Sequence, residues 1–261
     1  MRRWMLLLLL LTTTASAAAG EAPFLRVLGI AQDGGLPHAA CTCVRCEDAR
    51  EADPPYYVSS LGLVIPETSA ARVYLFDATP DIRGQLDLLA DVRRPEPGAT
   101  DRTPVDGVFL THAHIGHYTG LMFFGYESIF TRQLPVYASR SMSQYLSDNG
   151  PWSELVRLES IALHPLTDEP VSLSSEVSVR WLKVPHRDEL ADTLGFVIEG
   201  PARTALFVPD TDGWGKWEVS LEDVIDIGGI DLAFLDATFF SLDELPGRSI
   251  ESVPHPLIRS T

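Results

Sequence analysis

Short apolar segments alternate with amphipathic segments along most of the chain. Nine stretches rich in β-branched and aromatic residues, each bounded by Gly, Pro or Asp, predict strands: FLRVLGI, SSLGLVI, ARVYLFDA, VDGVFLTHA, LPVYAS, VSVRWLKV, LGFVIEG, ARTALFVPD and DLAFLDATFF. Apolar residues at helical spacing predict four helices: DIRGQLDLLADV, HYTGLMFFGYESIF, SMSQYLSDN and LEDVIDI. Because strands and helices alternate in both halves, we expect an α/β fold with helices on both faces.

The chain has few breaks that could separate domains. From Phe24 onward there is no low-complexity linker and no internal repeat, and only the segments 93–104 and 150–154 interrupt the pattern. The composition, 45% apolar and 21% charged, is typical of a globular protein with a sizeable core. We therefore predict a single domain over residues 20–261.

The N-terminal residues have the pattern of a secretory signal peptide. Two arginines precede an apolar run, and small residues ending in Ala-Ser-Ala follow it. The run is shorter than the ~20 residues that span a bilayer, so a transmembrane anchor is the weaker alternative. Residues 1–19 are predicted to be cleaved, which makes the mature protein periplasmic or secreted and not attached to the membrane.

The charge of the chain narrows the choice of partners. Asp and Glu number 36 against 20 Lys and Arg, for a net charge of −16. Such a surface repels nucleic-acid phosphates and anionic membranes, so neither is an expected partner. A small-molecule substrate is expected, and even an anionic one is compatible with this charge, because a bound metal ion dominates its local field. The sequence does not indicate an oligomeric state.

Three of the seven histidines lie close together in the stretch THAHIGHYTG. The period of a strand puts His112 and His114 on one face, and His117 returns from the first turn of the next helix. Imidazole is a common ligand of zinc and related metals. A chance group of polar residues at a strand end is the weaker alternative, because the histidines directly follow an apolar strand. The stretch therefore predicts a metal site.

Further candidate ligands follow other predicted strands. His186 comes after VRWLKVP, Asp210 after TALFVP, Asp236 after DLAFL, and Asp77 after VYLF. In an α/β fold the carboxyl ends of strands are where a site assembles. Capping or turn roles remain open, most of all for Asp77 and Asp236.

Together these motifs resemble those of the metallo-β-lactamase superfamily. THAHIGHYTG is similar to its His-x-His-x-Asp-His signature, FDATPDIRGQL to its first motif, VPHRDELADTLGF to its third-histidine segment and FVPDTDGW to its bridging-aspartate motif. With LDATFFSLDEL and GGLPHAACTCVRC, the chain is most similar to the branch that contains pyrroloquinoline quinone biosynthesis protein B and related phosphodiesterases. The resemblance covers residues 24–261 and implies a four-layer αββα sandwich.

The resemblance also implies how the ligands are divided. His112, His114 and His186 would form a first metal site, and His117 would form a second one with a bridging Asp210. However, Gly116 stands where the superfamily has an aspartate ligand. The superfamily's last histidine comes from a strand that we expect this chain to lack. With two donors left for the second site, we expect one active-site Zn²⁺, with Mn²⁺ or Fe as alternatives.

The chain's cysteines, Cys41, Cys43 and Cys46, form the motif CTCVRC. This arrangement, in an exported protein, has one disulfide with one thiol left over as its weaker interpretation. It also resembles a structural zinc loop of the superfamily branch, in which a histidine completes a Cys₃His set. His38 and His255 are candidates for that histidine, and both interpretations remain open.

The resemblance implies a metal-dependent hydrolase that acts on a small ester or phosphodiester. Asp210 would orient the attacking water, while His255 and Glu189 are candidates for proton transfer or substrate contact. One alternative is a non-catalytic or oxidoreductase-type metal-binding member. Another is a protein that makes or carries pyrroloquinoline quinone. The predicted signal peptide argues against this last role, since that synthesis is expected in the cytoplasm.

Overall fold

Two β-sheets form the centre of the protein in a computed structural model, which describes residues 21–245, 247–249 and 254–260. The predicted signal peptide lies outside these residues. The first sheet has the order β1-β2-β3-β4-β5-β6, with strands Phe24–Gly29, Ser60–Ile65, Arg72–Phe76, Gly107–Phe109, Leu134–Ala138 and Ile161–Pro165. The second has the order β11-β10-β9-β8-β7, with β7 to β11 spanning Val171–Ser172, Ser178–Lys183, Leu194–Glu199, Thr204–Val208 and Leu232–Leu235.

The strand directions show which strands need a crossover connection. In the first sheet β1 to β3 are antiparallel, whereas β3 to β6 are parallel and need crossover connections. In the second sheet only β10 and β11 are parallel. Helices α1 to α6 span Val44–Arg50, Ile82–Asp87, Ile115–Tyr118, Arg140–Asp148, Trp152–Arg157 and Leu221–Gly228. In the described part of the chain, no helix has the length and apolarity that crossing a membrane requires.

The two sheets face each other across an aromatic core. Phe76 of β3 and Phe109 of β4 stack with ring centroids 5.0 Å apart. Phe196 of β9 packs edge-on against both rings, with its centroid 5.5 Å from each. All three side chains are fully buried, as is Phe207 of β10. This core joins the sheets and fixes the distance between the strand ends that carry the site.

The residues that alternate with these aromatic side chains face the helices. Leu75 of β3 belongs to a buried apolar cluster that includes Met142 of α4. Leu206 of β10 belongs to another cluster, on which Val224 of α6 packs. The period of two along each strand thus gives each sheet two apolar faces. The resulting order of layers is αββα, which confirms the predicted α/β class and the four-layer sandwich.

The helix predicted over residues 117–130 is wrong. Helix α3 ends at Tyr118, and a 3₁₀ helix, Thr119–Phe124, follows it. Gly120 packs so closely on the end of β3 that a Cβ atom there would lie 2.1 Å from the carbonyl oxygen of Thr79. This close contact accounts for the glycine and fixes the chain against the sheet. Helix α5 was also missed, because residues 150–154 were interpreted as a loop.

Candidate metal centre

Four imidazoles converge at one edge of the two sheets. His112 and His114 follow β4, His117 lies in α3, and His186 follows β8. The ring centroid of His112 lies 4.5 Å from that of His114 and 4.2 Å from that of His117. The centroids of His114 and His186 are 4.9 Å apart. The side chains of His112 and His186 are each only 1% exposed, so this group is largely shielded from water.

Asp210, at the end of β10, places one carboxylate oxygen among these rings. Its Oδ2 atom lies 3.4 Å from Nε2 of His112 and 3.3 Å from Nε2 of His186. The same oxygen lies 3.9 Å from Nδ1 of His114 and 3.8 Å from Nε2 of His117. In tetrahedral coordination with zinc–ligand bonds of about 2.0–2.1 Å, the ligand atoms are about 3.4 Å apart. The spacing among His112, His114, His186 and Asp210 therefore suits one ion.

The buried atoms of this group also fit a metal ion. Within the described residues, the buried Nε2 of His112 has no hydrogen-bond partner closer than Oδ2 of Asp210, which lies 3.4 Å away. Burial lowers the pKa of His112 well below its usual value, and the charge of His117 adds to this effect. Burial raises the pKa of Asp210, but hydrogen bonds to the surrounding histidines outweigh it and lower that pKa overall. Neutral imidazole and ionised carboxylate are the forms that bind metals.

Asp77 orients two of the histidines from behind. Its carboxylate accepts hydrogen bonds from the backbone N of Thr111 at 2.8 Å and from the Thr111 hydroxyl at 2.9 Å, and it lies 2.7 Å from Nδ1 of His117. The Thr111 hydroxyl lies 3.0 Å from Nδ1 of His112. Burial lowers the pKa of His117, but the charge of Asp77 and then that of Asp210 raise it above its usual value. Contacts of this kind fix ring orientation and direct the opposite nitrogen toward a metal.

His186 has a comparable partner that the sequence analysis missed. Its Nδ1 atom lies 3.2 Å from Oδ1 of Asp212, and Oδ2 of Asp212 accepts a hydrogen bond from Nζ of Lys216 at 2.6 Å. Asp212 is two residues after Asp210 in the stretch Asp-Thr-Asp, and both carboxylates contact the ring of His186. That spacing is the signal that could have identified it.

His255 lies between two carboxylates at the same edge. Its Nδ1 atom is 3.2 Å from Oδ1 of Asp210 and 2.7 Å from Oδ2 of Asp236. Burial lowers the pKa of His255, but these two carboxylates outweigh that effect and raise it to about 10. Asp236 also accepts hydrogen bonds from the backbone N atoms of Thr211 and Thr238, at 3.1 and 2.9 Å. The structure thus places His255 at the metal centre.

Two further acidic residues lie near the centre: Glu189, which was predicted, and Asp33, which was not. Glu189, a predicted site residue, lies at the rim, where its Oε2 is 3.7 Å from Nε2 of His114 and its side chain is 51% exposed. Asp33, in the loop after β1, was not predicted, yet it forms a potential metal-binding group with His117 and Asp210 in which the ligand atoms lie within 4.8 Å of one another. The expectation that only two donors remain for a second ion is therefore wrong.

A cavity of about 350 Å³ opens beside this group. Its volume is near the lower end of the range of about 300–1,000 Å³ that is usual for small-molecule sites. Its lining includes both polar and apolar side chains, among them Ile30, Asp33, Leu36, His117, Asp210, Asp236 and Thr238. The cavity brings a small molecule within reach of the candidate ligands.

The cysteines form a second, separate group. The Sγ atoms of Cys41, Cys43 and Cys46 lie within 4.8 Å of one another. The backbone N of His38 donates a weak hydrogen bond to Sγ of Cys46 at 3.4 Å. Within the described residues, neither the ring of His38 nor that of His255 joins this group. His255 lies at Asp210 and Asp236 instead and is therefore wrong as the fourth ligand, whereas the role of His38 stays a prediction.

Comparison with known proteins identifies the family. A family model described as the Beta-lactamase superfamily domain matches residues 72–256, which is more than half of the chain. The chain belongs to this superfamily. The match includes the four histidines that converge, Asp210 and His255, so the superfamily domain contains the whole centre apart from Asp33.

Within the superfamily, this chain is similar to the following proteins. Coenzyme PQQ synthesis protein B of Nitrosococcus oceani is 27% identical over 249 residues, which cover 87% of this chain and 77% of that protein. The crystal structure of Zn²⁺-bound PqqB from Methylobacterium extorquens has a TM-score of 0.68 at 22% identity, covering 85% of this chain and 75% of that one. A diphosphatase of the PhnP family has a TM-score of 0.60 at 18% identity, covering 92% and 79%. These likenesses confirm the metallo-β-lactamase fold.

Proposed function

We propose that this chain is a metal-dependent hydrolase that acts on a small ester or phosphodiester. The observation that carries the proposal is the position of Asp210, whose Oδ2 lies among four histidine rings beside an open cavity. A divalent ion there, with Zn²⁺ as first choice and Mn²⁺ or Fe as alternatives, would polarise a substrate oxygen and acidify water near neutral pH. The histidine and carboxylate ligands suit all three metals.

The protein's own residues would move the protons. In this proposal Asp210 orients the attacking water, whose proton passes to solvent as the new bond to carbon or phosphorus forms. His255 would give a proton to the leaving oxygen as the old bond breaks, since Oδ2 of Asp236 lies 2.7 Å from its Nδ1 and stabilises the protonated ring. Glu189, at the exposed rim, would contact the substrate.

An activity screen with matched variants tests the proposal. Metal-loaded protein is assayed with p-nitrophenyl esters, bis(p-nitrophenyl) phosphate and β-lactams. For the best substrate, His255→Ala should lower kcat/KM by roughly 10²–10⁴-fold if it is the general acid. His164→Ala is the matched control, because His164 is an exposed residue of β6 and should leave turnover unchanged. Absence of turnover for all three substrate classes would overturn the proposal.

A second candidate is the role of Coenzyme PQQ synthesis protein B. The observation that favours it is the 27% identity over 87% of this chain. A bacterial strain that lacks that protein would distinguish the two proposals. If this chain restores coenzyme formation there and His114→Ala abolishes the rescue, the second candidate is supported. Failure of well-expressed protein to rescue would count against it.

The proposal extends to location and partners. The predicted signal at residues 1–19 supports action in the periplasm or outside the cell, and the net charge of −16 supports a small-molecule substrate over nucleic acid. Neither a membrane nor a second protein is needed to complete the group of candidate ligands, since all of its members come from this chain.

A further inference from the structure

The space beside Gly116 is filled by another residue. A Cβ atom at position 116 would lie 1.9 Å from Cβ of Asp33, 2.5 Å from its Cα and 3.2 Å from its carbonyl oxygen. Gly116 is buried within α3 and does not have a positive φ angle. The glycine is therefore required by space and not by an unusual backbone conformation. Any larger residue at position 116 would push the Asp33 loop away.

The loop that brings Asp33 to this point is fixed on both sides. Ile30 and Ala31 pair with the carbonyl oxygen of Tyr57, each at 2.9 Å, and the backbone N of Gly35 donates to the carbonyl oxygen of Gln32 at 2.8 Å. Asp33 lies inside this turn and is half-buried. Its carboxylate therefore reaches the cavity from ordered backbone.

The carboxylate of Asp33 lies near two other possible metal ligands, His117 and Asp210, of which only Asp210 also belongs to the first group. Asp33, His117 and Asp210 each offer an atom, and these atoms lie within 4.8 Å of one another. Asp210 is shared with the first group, and its buried Oδ1 lies 3.2 Å from Nδ1 of His255. The imidazole of His117 is held by Asp77 through Nδ1, which leaves Nε2 facing Asp210. Two carboxylates and one imidazole are a suitable set for a divalent ion.

We propose that Asp33 supplies a carboxylate ligand of a second metal ion, together with His117 and Asp210, and that Gly116 leaves the room for it. The proposal rests on the proposed metal-dependent function, because the two ions would share Asp210. In this arrangement the carboxylate missing from position 116 is replaced by one from a different part of the chain. The residue pair Asp33 and Gly116 therefore acts as a unit, and neither can be changed alone without loss of the second ion.

Two variants, one at each residue of the contact between Asp33 and Gly116, test whether a second ion binds there. Asp33→Asn removes the charge while keeping the shape, and Gly116→Ala keeps Asp33 but fills its space. Ile115→Ala is the matched control, since Ile115 is the neighbouring residue and is 64% exposed. Each full-length protein is stripped of metal, reloaded with Zn²⁺ and analysed by calorimetry for stoichiometry. Diffraction at the zinc edge then shows which position each ion occupies.

The expected result is an ion beside His117 in the wild type and in Ile115→Ala. In Asp33→Asn and Gly116→Ala that ion should bind at least ~10-fold more weakly, while the ion among His112, His114 and His186 stays in place. A wild type with that first ion and none beside His117, or an undiminished second ion in both variants, would overturn this inference alone. A wild type with neither ion would overturn the proposed function as well. Far-ultraviolet circular dichroism confirms that each variant is folded.

Discussion

The Nδ1 atom of His117 lies 2.7 Å from Oδ2 of Asp77, whose side chain is completely buried. Because the same carboxylate holds both the backbone and the hydroxyl of Thr111, one residue behind the site fixes the rings of His112 and His117. Asp77 also has a φ of 66°, in the left-handed region that Asp adopts in turns, so the turn role that was its alternative interpretation holds beside the orienting contacts. The relationship links the end of β3 to the metal centre.

Replacing Asp77 should therefore weaken metal binding without removing a candidate ligand. For Asp77→Asn we expect about 10–100-fold lower zinc affinity, because the side-chain amide cannot accept all of the hydrogen bonds that the carboxylate accepts. The metal-free variant should also lose about 1–3 kcal/mol of unfolding free energy, since buried donors lose their partner. Zinc titration and urea unfolding measure the two effects. Asp87→Asn, on an exposed position of α2, is the control. Unchanged zinc affinity in Asp77→Asn would refute the orienting role.

We expect removal of an aromatic side chain from the core between the sheets to lower the free energy of unfolding strongly. Phe76 is fully buried against Phe109, Phe196 and Phe207. Phe76→Ala should lower the unfolding free energy by about 3–5 kcal/mol, because it removes packing and leaves a cavity. Phe240→Ala, at a position that is 55% exposed, should change it by less than about 0.5 kcal/mol. Equal losses in the two variants, measured by urea unfolding, would contradict the assigned core.

The period-two pattern of the strands allowed the sequence to predict most of the fold. In β10, Phe207 faces the core between the sheets and Leu206 faces the outer helix layer, so one apolar run marks a strand buried on both sides. The 3₁₀ helix after α3 could not be predicted in the same way. Its form depends on the contact of Gly120 with the end of β3, which no local pattern contains.

The same distinction applies to the site. Their positions after predicted strands indicated that His112, His186 and Asp210 belong to one site. The structure brings them together from two sheets, since β4 lies in the first sheet and β8 and β10 lie in the second. Asp33 could not be predicted, because it comes from a loop and reaches the centre only where Gly116 leaves space. The sequence revealed an absent carboxylate at position 116, but it gave no indication of which residue fills that space.

We expect the cysteine group to bind a structural zinc ion that is separate from any ion at the histidines. The three Sγ atoms lie close enough to share one ion, and Cys43 is the most exposed of them. Cys43→Ser should lower the zinc content by about one ion per chain and leave the ion at the histidines in place. Mass spectrometry of intact, unreduced protein measures the metal and the thiols together. A disulfide with no zinc at this group would favour the alternative that the sequence left open.

Export is predicted from the N-terminal sequence, which lies outside the described residues. Two arginines, an apolar run and Ala-Ser-Ala should direct secretion and cleavage. Protein recovered from the periplasm should therefore begin near Ala18 or Gly20, as N-terminal sequencing would show. Cytosolic protein that still begins at Met1 would contradict the predicted location.

Diffraction from zinc-loaded crystals on both sides of the zinc absorption edge shows directly whether the histidine group holds an ion. We expect an anomalous peak about 2.0–2.2 Å from ring nitrogens of His112, His114 and His186 and from a carboxylate oxygen of Asp210. In crystals of His186→Ala that peak should be lost or strongly weakened, while His164→Ala should retain it. A zinc-loaded wild type with a peak at the cysteines and none among these histidines would show that the histidine group is not a zinc site.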